Sequence, residues 1–585
     1  MRRSWLPKSI IILAIISWSI AVVLPVSPEA QAQEAVAEPG QTISGFVRDE
    51  AGPVAGAIVR IQSTHYKTVS GDDGAFVLTG VAIADPVRVT VAAQGYFQNW
   101  ADVTAGQQDV VITLKAHFTS DNTEYAWQSA DNCGECHTAY HEWKADAHAQ
   151  AAINPRFITM YKGTDVHGNQ SPLSGYSTGW PKLPDLSQPY FGPGFKIDFP
   201  DRDGNCASCH TPMASSLPTD NSCGWSGCHK DITAEYSEEI PESVTPTDLT
   251  GVAAEGISCD FCHKVGEVLL KPETGLPDPE LTGIMSMRLF RPEEGEKLFF
   301  GSVDDVASAA DSFMPMHQES AFCAPCHYGV FNNKEVVIYG SYAEWLASPY
   351  SNPETGQTCQ ECHMPPVEAG NPLFPEDRPE AEKAYFVFHH QGGVPRQPDR
   401  IHDHQMRGAT DQELLQNSVT MTTTAQLVEG ELQISVSITN DKTGHHVPTD
   451  SPLRHLILVV QASDADGNPL PLQDGPVLPE WAGNYAEQPG QLYAKILEDE
   501  NTKEAPAFNF WAYVRVVSDT RIAAMATDTS QYRFAAPTEG PITVKAQLIY
   551  RRAFQQLMEW KGWNDPDIVM EEEIITVNPD LLSQD

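Results

Sequence analysis

Between residues 41 and 116, apolar and polar positions alternate in short runs, "ISGFVRD", "AIVRIQS", "AFVLTGV", "VRVTVAA" and "DVVITLK", separated by Gly, Asp and Pro turns. Successive side chains of a strand point to opposite faces, so alternation over runs this short predicts strands with one buried face and, together, a small β-sandwich. From about Ala409 the same period returns. "LVEGELQISVSITN" sets Leu432, Ile434, Val436 and Ile438 on one face, and "RHLILVVQASDADGNPL" and "ITVKAQLIY" continue the sheet, which predicts a C-terminal β-sandwich over 409–580. The stretch from His117 to Gly408 sustains neither period, and turn signals such as "GPG", "PDP" and "NPETG" interrupt it. On its apolar pattern alone, 117–408 reads as too poor in core to fold.

One further apolar run opens the chain. "MRRSWLPKSIIILAIISWSIAVVL" places Arg2, Arg3 and Lys8 before an apolar stretch, and the small residues around Ala30 and Ala32 follow. That layout predicts a signal peptide over 1–32, removed on export, so the mature chain is expected in the periplasm, at the cell surface or outside the cell. No later stretch is apolar enough to span a bilayer, which predicts a chain that is not an integral membrane protein after cleavage. At 585 residues the chain is long enough for two to four domains. Its 37 Lys and Arg against 78 Asp and Glu leave a net charge of -41, which excludes nucleic acid and anionic lipid as partners and suits a basic one.

The cysteines change the picture of the middle region. All 12 fall into six pairs: Cys133 and Cys136, Cys206 and Cys209, Cys223 and Cys228, Cys259 and Cys262, Cys323 and Cys326, Cys359 and Cys362. An even count in an exported chain suggests disulfides, and paired cysteines suggest zinc. Neither explains the next residue. His137, His210, His229, His263, His327 and His363 each follow the second cysteine, six times in six, although only 19 of 585 residues are histidine. Chance would give this on the order of once in a billion. Covalent haem does require it: two thiols add to the two vinyl groups of the porphyrin, and the adjacent imidazole stands under the iron. Five sites read CxxCH, and "CGWSGCH" at 223–229 spaces its cysteines by four residues. Six covalent haems c are therefore expected, with no disulfide and no free thiol. The porphyrins then supply the apolar core that 117–408 lacks, wrapped by short helices and loops.

Six irons have six further axial positions, and thirteen histidines lie outside the motifs. His148 in "HEWKADAHAQA" sits one helical turn beyond Trp143, just after the first motif. An internal echo, "YAEWLASPY", aligns Glu344 and Trp345 with Glu142 and Trp143 and puts Tyr350 in the place of His148. His317, upstream of "FCAPCH", and His404 in "HDHQMRG" are the next candidates, followed by His402, His390, His141 and His167. His445 or His446 in "DKTGHHVPTDSP" sits on a turn that could reach back to a haem. Met213 and Met364 lie so close to motif histidines that packing against the macrocycle suits them better than ligation.

Two resemblances follow from these residues. The order "SGFVRDEAGPVAGAIVRI…SGDDGAFVLTGV" resembles the carboxypeptidase regulatory-like domain, an immunoglobulin-like sandwich that implies no peptidase activity. The haem motifs, "EWKADAHA", "EGISCDFCHKV", "CQECHMP" and "TGHHVPT" resemble the multihaem c-type cytochromes, in the class of the tetrahaem cytochrome of nitrification and the hydroxylamine oxidoreductases, over roughly 125–580. Relatives that reduce nitrite or tetrathionate carry lysine in place of one motif histidine; here all six are histidine. Tyr328 and Tyr350 are expected neighbours of a haem. The expectation is an electron carrier rather than a catalyst, passing single electrons along six covalent haems between redox donor and acceptor proteins in respiratory or extracellular electron transfer. The alternatives are an oxidoreductase acting on a small nitrogen or sulfur compound at one five-coordinate haem, and a subunit of a self-associating cytochrome filament.

Overall fold

The computed structural model describes residues 40–81, 86–177, 180–182, 184–201, 204–215, 249–331, 336–367 and 384–578. The expected signal peptide and the motif of Cys223, Cys228 and His229 lie outside them. Among the described residues, no helix is long and apolar enough to cross a membrane.

The first sandwich packs a three-stranded sheet, with Gln41–Arg48 between Ala75–Val81 and Val110–Thr113, against a four-stranded sheet running Lys67–Val69, Ile58–Ile61, Val87–Ala92 and Asn99–Val103. The inward positions of the alternating runs, among them Ile43, Val47, Val59, Phe76, Leu78, Val89 and Ile112, make one closed core. This unit does not end cleanly at 116. Its short strands Tyr96–Phe97 and Lys115–Ala116 share a sheet with Phe299–Gly301 and Asp311–Phe313 of the middle region. Arg60 reaches Asp304 at 2.7 Å, and Asp304 and Asp305 also hold Arg400 and Arg396, so a buried charge network ties three separate stretches together.

The C-terminal sandwich pairs a four-stranded sheet (Thr420–Val428, Glu431–Thr439, Thr527–Ala535, Leu472–Asp474) with a five-stranded one built around His455–Ser463 and Ile542–Arg551. The first hairpin turns on Glu429 and Gly430, both at positive φ (53° and 86°), the geometry that matches the twist of its flanking strands. Leu432, Ile434, Val436 and Ile438 all point inward, 2% exposed or less. His455–Ser463 reads as a continuous apolar run because both its faces are covered. Leu456, Leu458 and Val460 face the other sheet, whereas Ile457 and Val459 join Tyr161, Phe195, Trp511 and Phe554 in a second cluster. That cluster seats the sandwich on the middle region, whose helices are only four to eight residues long.

Candidate functional site

Four of the five described motifs close a single helical turn on their histidine. The backbone N–H of His137, His210, His263 and His327 donates to the carbonyl of Cys133, Cys206, Cys259 and Cys323 at 2.9, 3.0, 3.0 and 3.1 Å. Residues three and four apart share a helix face, so this turn brings both sulfurs and the imidazole to one side. The fifth motif, helix Cys359–His363, starts in a capping box between Thr358 and Glu361.

All five open on one cavity of about 2750 Å³. Ordinary ligand pockets hold roughly 300–1,000 Å³, so this space suits several large groups rather than one. Within it, motifs distant in sequence meet through their thiols: Cys133 contacts Cys259, Cys209 contacts Cys326, and Cys323 contacts Cys359. The motif of Cys323 and Cys326 thus touches two others, at Cys209 and at Cys359, and the motif of Cys133 touches that of Cys259. The chain order of the motifs is not their order in space.

The imidazoles are oriented in a common way. His210 Nδ1–H donates to the Ala151 carbonyl at 3.0 Å, His363 to Arg407 at 2.7 Å, and His263 to Phe300. His327 instead meets the Asp450 carboxylate at 3.2 Å, and His148 meets Asp146 at 2.7 Å. A bond at Nδ1 leaves Nε2 as the metal-facing atom, the arrangement that metal-ligating histidines almost always show. Burial pushes the His263 and His363 imidazoles down to about 4 and His317 to about 3, so all three are neutral, the form that coordinates. His317 Nε2 is buried without a partner.

Motif and non-motif rings pair across the cavity. Ring centres lie 6.2 Å apart for His327 and His148, 5.7 Å for His263 and His317, and 6.3 Å for His363 and His445. Two metal–nitrogen bonds of about 2 Å each, plus the distance from each nitrogen to its ring centre, put two imidazoles on one metal roughly 6 Å apart. The residues present therefore fit iron held between two histidines. His404 lies on the cavity wall with its backbone N–H on Glu142 Oε2 at 2.9 Å, beside the first motif.

Not every candidate histidine reaches the site. His402 lines the cavity and donates from Nδ1 to the Met364 carbonyl at 2.9 Å. His141, His390 and His167 are exposed and stand outside the lining. Met213 is fully buried in an apolar cluster and accepts from Ser258 Oγ at 3.1 Å, whereas Met364, Tyr328 and Tyr350 line the cavity. Of the adjacent histidines in the C-terminal turn, His445 is the one that faces a motif ring. His210 differs from the three motif histidines that face a second imidazole: among the described residues, the ring packed on it is Phe157, stacked at 3.9 Å with planes 4° apart.

Sequence reasoning missed the carboxylates Asp146 and Asp450, and it missed Glu142 and Glu344 as clamps on loops that carry histidines. Asp146 stands two residues before His148 and was open to notice; Asp450 lies 123 residues from the ring it holds.

A family model for the carboxypeptidase regulatory-like domain matches residues 42–116, so the first sandwich is a domain of that kind. No curated protein matches the chain. Among solved structures, the chain is similar to a penta-heme cytochrome c552 from Thermochromatium tepidum, at 19% identity and a TM-score of 0.49 over 77% of this chain and 99% of that one. A cohesin-X-dockerin complex from Acetivibrio cellulolyticus gives 18% identity and a TM-score of 0.12 over 13% of this chain and 58% of that one. These scores are too low to carry an argument about the middle region, which rests on its own residues.

Proposed function

We propose that the chain is an exported multihaem c-type cytochrome that passes single electrons through six covalently bound haems. The observation that carries this reading is the convergence of five CxxCH motifs on one cavity, with three of their histidines each facing a second imidazole at 5.7–6.3 Å. When bound, haem supplies a one-electron couple at iron. The motif cysteines and histidines would hold the groups close together, and His148, His317 and His445 would supply a second imidazole to three of them. Among the described residues no second imidazole ring is paired with His137; His404, on the cavity wall, is the remaining candidate that could hold that group. Close thiol contacts between motifs support transfer from group to group, and the motif of Cys323 and Cys326, which touches two others, would be the branch point. The net charge of -41 suits a basic donor or acceptor.

Intact mass and the spectrum of the oxidised protein test this. Six covalent haems and mostly low-spin iron are expected. Fewer than five covalent haems would overturn it. The Phe157 ring stacked on His210, where three other motif histidines face an imidazole, favours a second reading for that group, an open iron that takes a small nitrogen or sulfur compound. A high-spin ferric signal that disappears on adding nitrite or hydroxylamine, with turnover, would put that reading first.

A further inference from the structure

The wall beside His210 carries three half-buried arginines with one carboxylate bonded among them. Arg156 precedes Phe157, the residue stacked on His210, and lines the cavity with Arg454 and Arg552 from the C-terminal sandwich. These three guanidiniums share one bonded carboxylate, Asp565, which pairs with Arg156 and lies 3.3 Å from Arg552. Arg454 spends a donor on the Thr449 carbonyl at 3.2 Å, and the nearby Asp450 is engaged by His327 and the Ser341 N–H. Elsewhere the buried arginines face carboxylates directly: Arg291 with Asp121, Arg551 with Asp567, Arg521 with Asp519 and Glu344. Two polar atoms in the cluster have no hydrogen-bond partner among the described residues. They are Arg156 Nε and the hydroxyl of Tyr550, a residue only 3% exposed.

Clustered cations with unmet donors, in a chain this acidic, are the complement of an anion. Burial, with the charges of Arg552 and Arg454 adding to it, pushes Arg156 down to about 10, so the cluster is strained by its own charge. An anion there would meet planar guanidinium donors suited to two-oxygen acceptors, with the Tyr550 hydroxyl as a further donor. Arg156 also stacks over Trp563, its guanidinium carbon 5.3 Å from the ring centre, which fixes the fork in place.

We propose that Arg156, Arg454, Arg552 and Tyr550 form an anion-binding site at the edge of the group carried by Cys206, Cys209 and His210, built for paired carboxylates or a small oxoanion. It rests on the haem reading above. Two sources share this chemistry: the propionate carboxylates of that haem, and a free oxoanion drawn from solution. The site's two arginines from the C-terminal sandwich make that sandwich part of the haem pocket rather than an appended module.

The experiment compares the haem-loaded parent with Arg552→Gln and with Tyr550→Phe, the second keeping the shape of the core. Haem number comes from intact mass, potentials from spectroelectrochemistry, and anion binding from calorimetry with nitrite and with sulfite. If propionates fill the site, Arg552→Gln moves one potential downward and leaves the others, because a lost cation disfavours the reduced, less positive iron; neither probe then gives saturable heat. If a free oxoanion fills it, the parent binds nitrite or sulfite saturably, and each variant weakens that binding at least tenfold. Unchanged potentials together with absent anion binding, in variants that keep the parental haem number, would overturn the site. A parent lacking the haem on Cys206 and Cys209 would overturn the haem reading instead.

Discussion

Helices Tyr140–Ala145 and Ser341–Leu346 follow the motif histidines 137 and 327, and they perform the same tasks with different residues at the end. Glu142 accepts from the His404 backbone at 2.9 Å and Glu344 from the His446 backbone at 3.2 Å, each pinning a histidine-bearing loop. Trp143 and Trp345 donate from Nε1 at 2.8 Å to the carbonyls of Ile257 and Gln357, each two residues before the first cysteine of another motif. Asp146 Oδ1 accepts from the His148 N–H at 2.9 Å, and Ser348 Oγ accepts from the Tyr350 N–H at 3.2 Å, so the same turn ends both. Then they diverge. His148 crosses to face His327, whereas the Tyr350 hydroxyl donates to the Asp441 carbonyl at 3.1 Å. The scaffold that joins two motifs is thus separable from the residue that reaches across to a motif histidine.

The motifs these tryptophans hold differ in the same sense. "CDFCHK" buries an ion pair, Lys264 to Asp260 at 2.6 Å with both side chains 0% exposed, where "CQECHM" has Gln360 and Met364. Removing one partner of a buried pair strands a charge and costs about 3–5 kcal/mol, whereas replacing both is often near neutral. Lys264→Met alone is therefore expected to destabilise by about 3–5 kcal/mol. Adding Asp260→Gln, which gives the first unit the second unit's pair, should restore most of that. Urea titration of both variants checks this, and equal losses would show that the two motifs do not tolerate each other's pair.

The next contrast is between the tryptophans. Trp143 is 8% exposed and packs with Tyr140, Ala130 and Ala149, while Trp345 is half-buried. Trp143→Ala should cost about 3–5 kcal/mol, and Trp345→Ala roughly half of that. A thermal melt that ranks them the other way would break the parallel.

How much of this was open to reading from the chain follows the range of the interactions. The inward face of Leu432, Ile434, Val436 and Ile438 was legible because a strand's period is local. The motif turns were legible because two thiols and an imidazole within five residues require only one helical turn. The Glu-Trp echo was visible as a repeat, but its purpose was not, since Trp143 and its acceptor are 114 residues apart and Trp345 and its acceptor only 12. The pairing of Tyr96–Phe97 with the strand Asp311–Phe313 was hidden for the same reason, and it carries the first sandwich across the boundary that composition suggests at 116. Among the histidines, the spacing beyond Trp143 set His148 ahead of His141, and His148 lines the cavity while His141, seven residues earlier, is exposed.

His148→Ala removes a ring bonded to the buried carboxylate Asp146, at about 1.5–3 kcal/mol for a hydrogen bond to a charged group. Its larger signature is spectral. The iron of His327 would lose its second imidazole, so one haem should turn high-spin and bind carbon monoxide, which the parent should not do at that position. An unchanged spectrum would remove His148 from the ligand set and leave the 6.2 Å pairing without a role.

Tyr350→Phe gives the smallest effect and the sharpest control. The substitution removes only the hydroxyl that donates to Asp441, so the expected loss is about 0.5–1.5 kcal/mol. Its ring still packs on the turn at Gly444, where an added side-chain carbon would sit 3.0 Å from the Tyr350 Cβ. That turn delivers His445 to His363, so the ring serves as a spacer beneath it. No haem should change spin state in this variant, although it stands at the position aligned with His148. If Tyr350→Phe does produce a high-spin or newly reactive haem, the tyrosine oxygen contributes to a metal site, and the two units differ in the kind of ligand they supply rather than in whether they supply one.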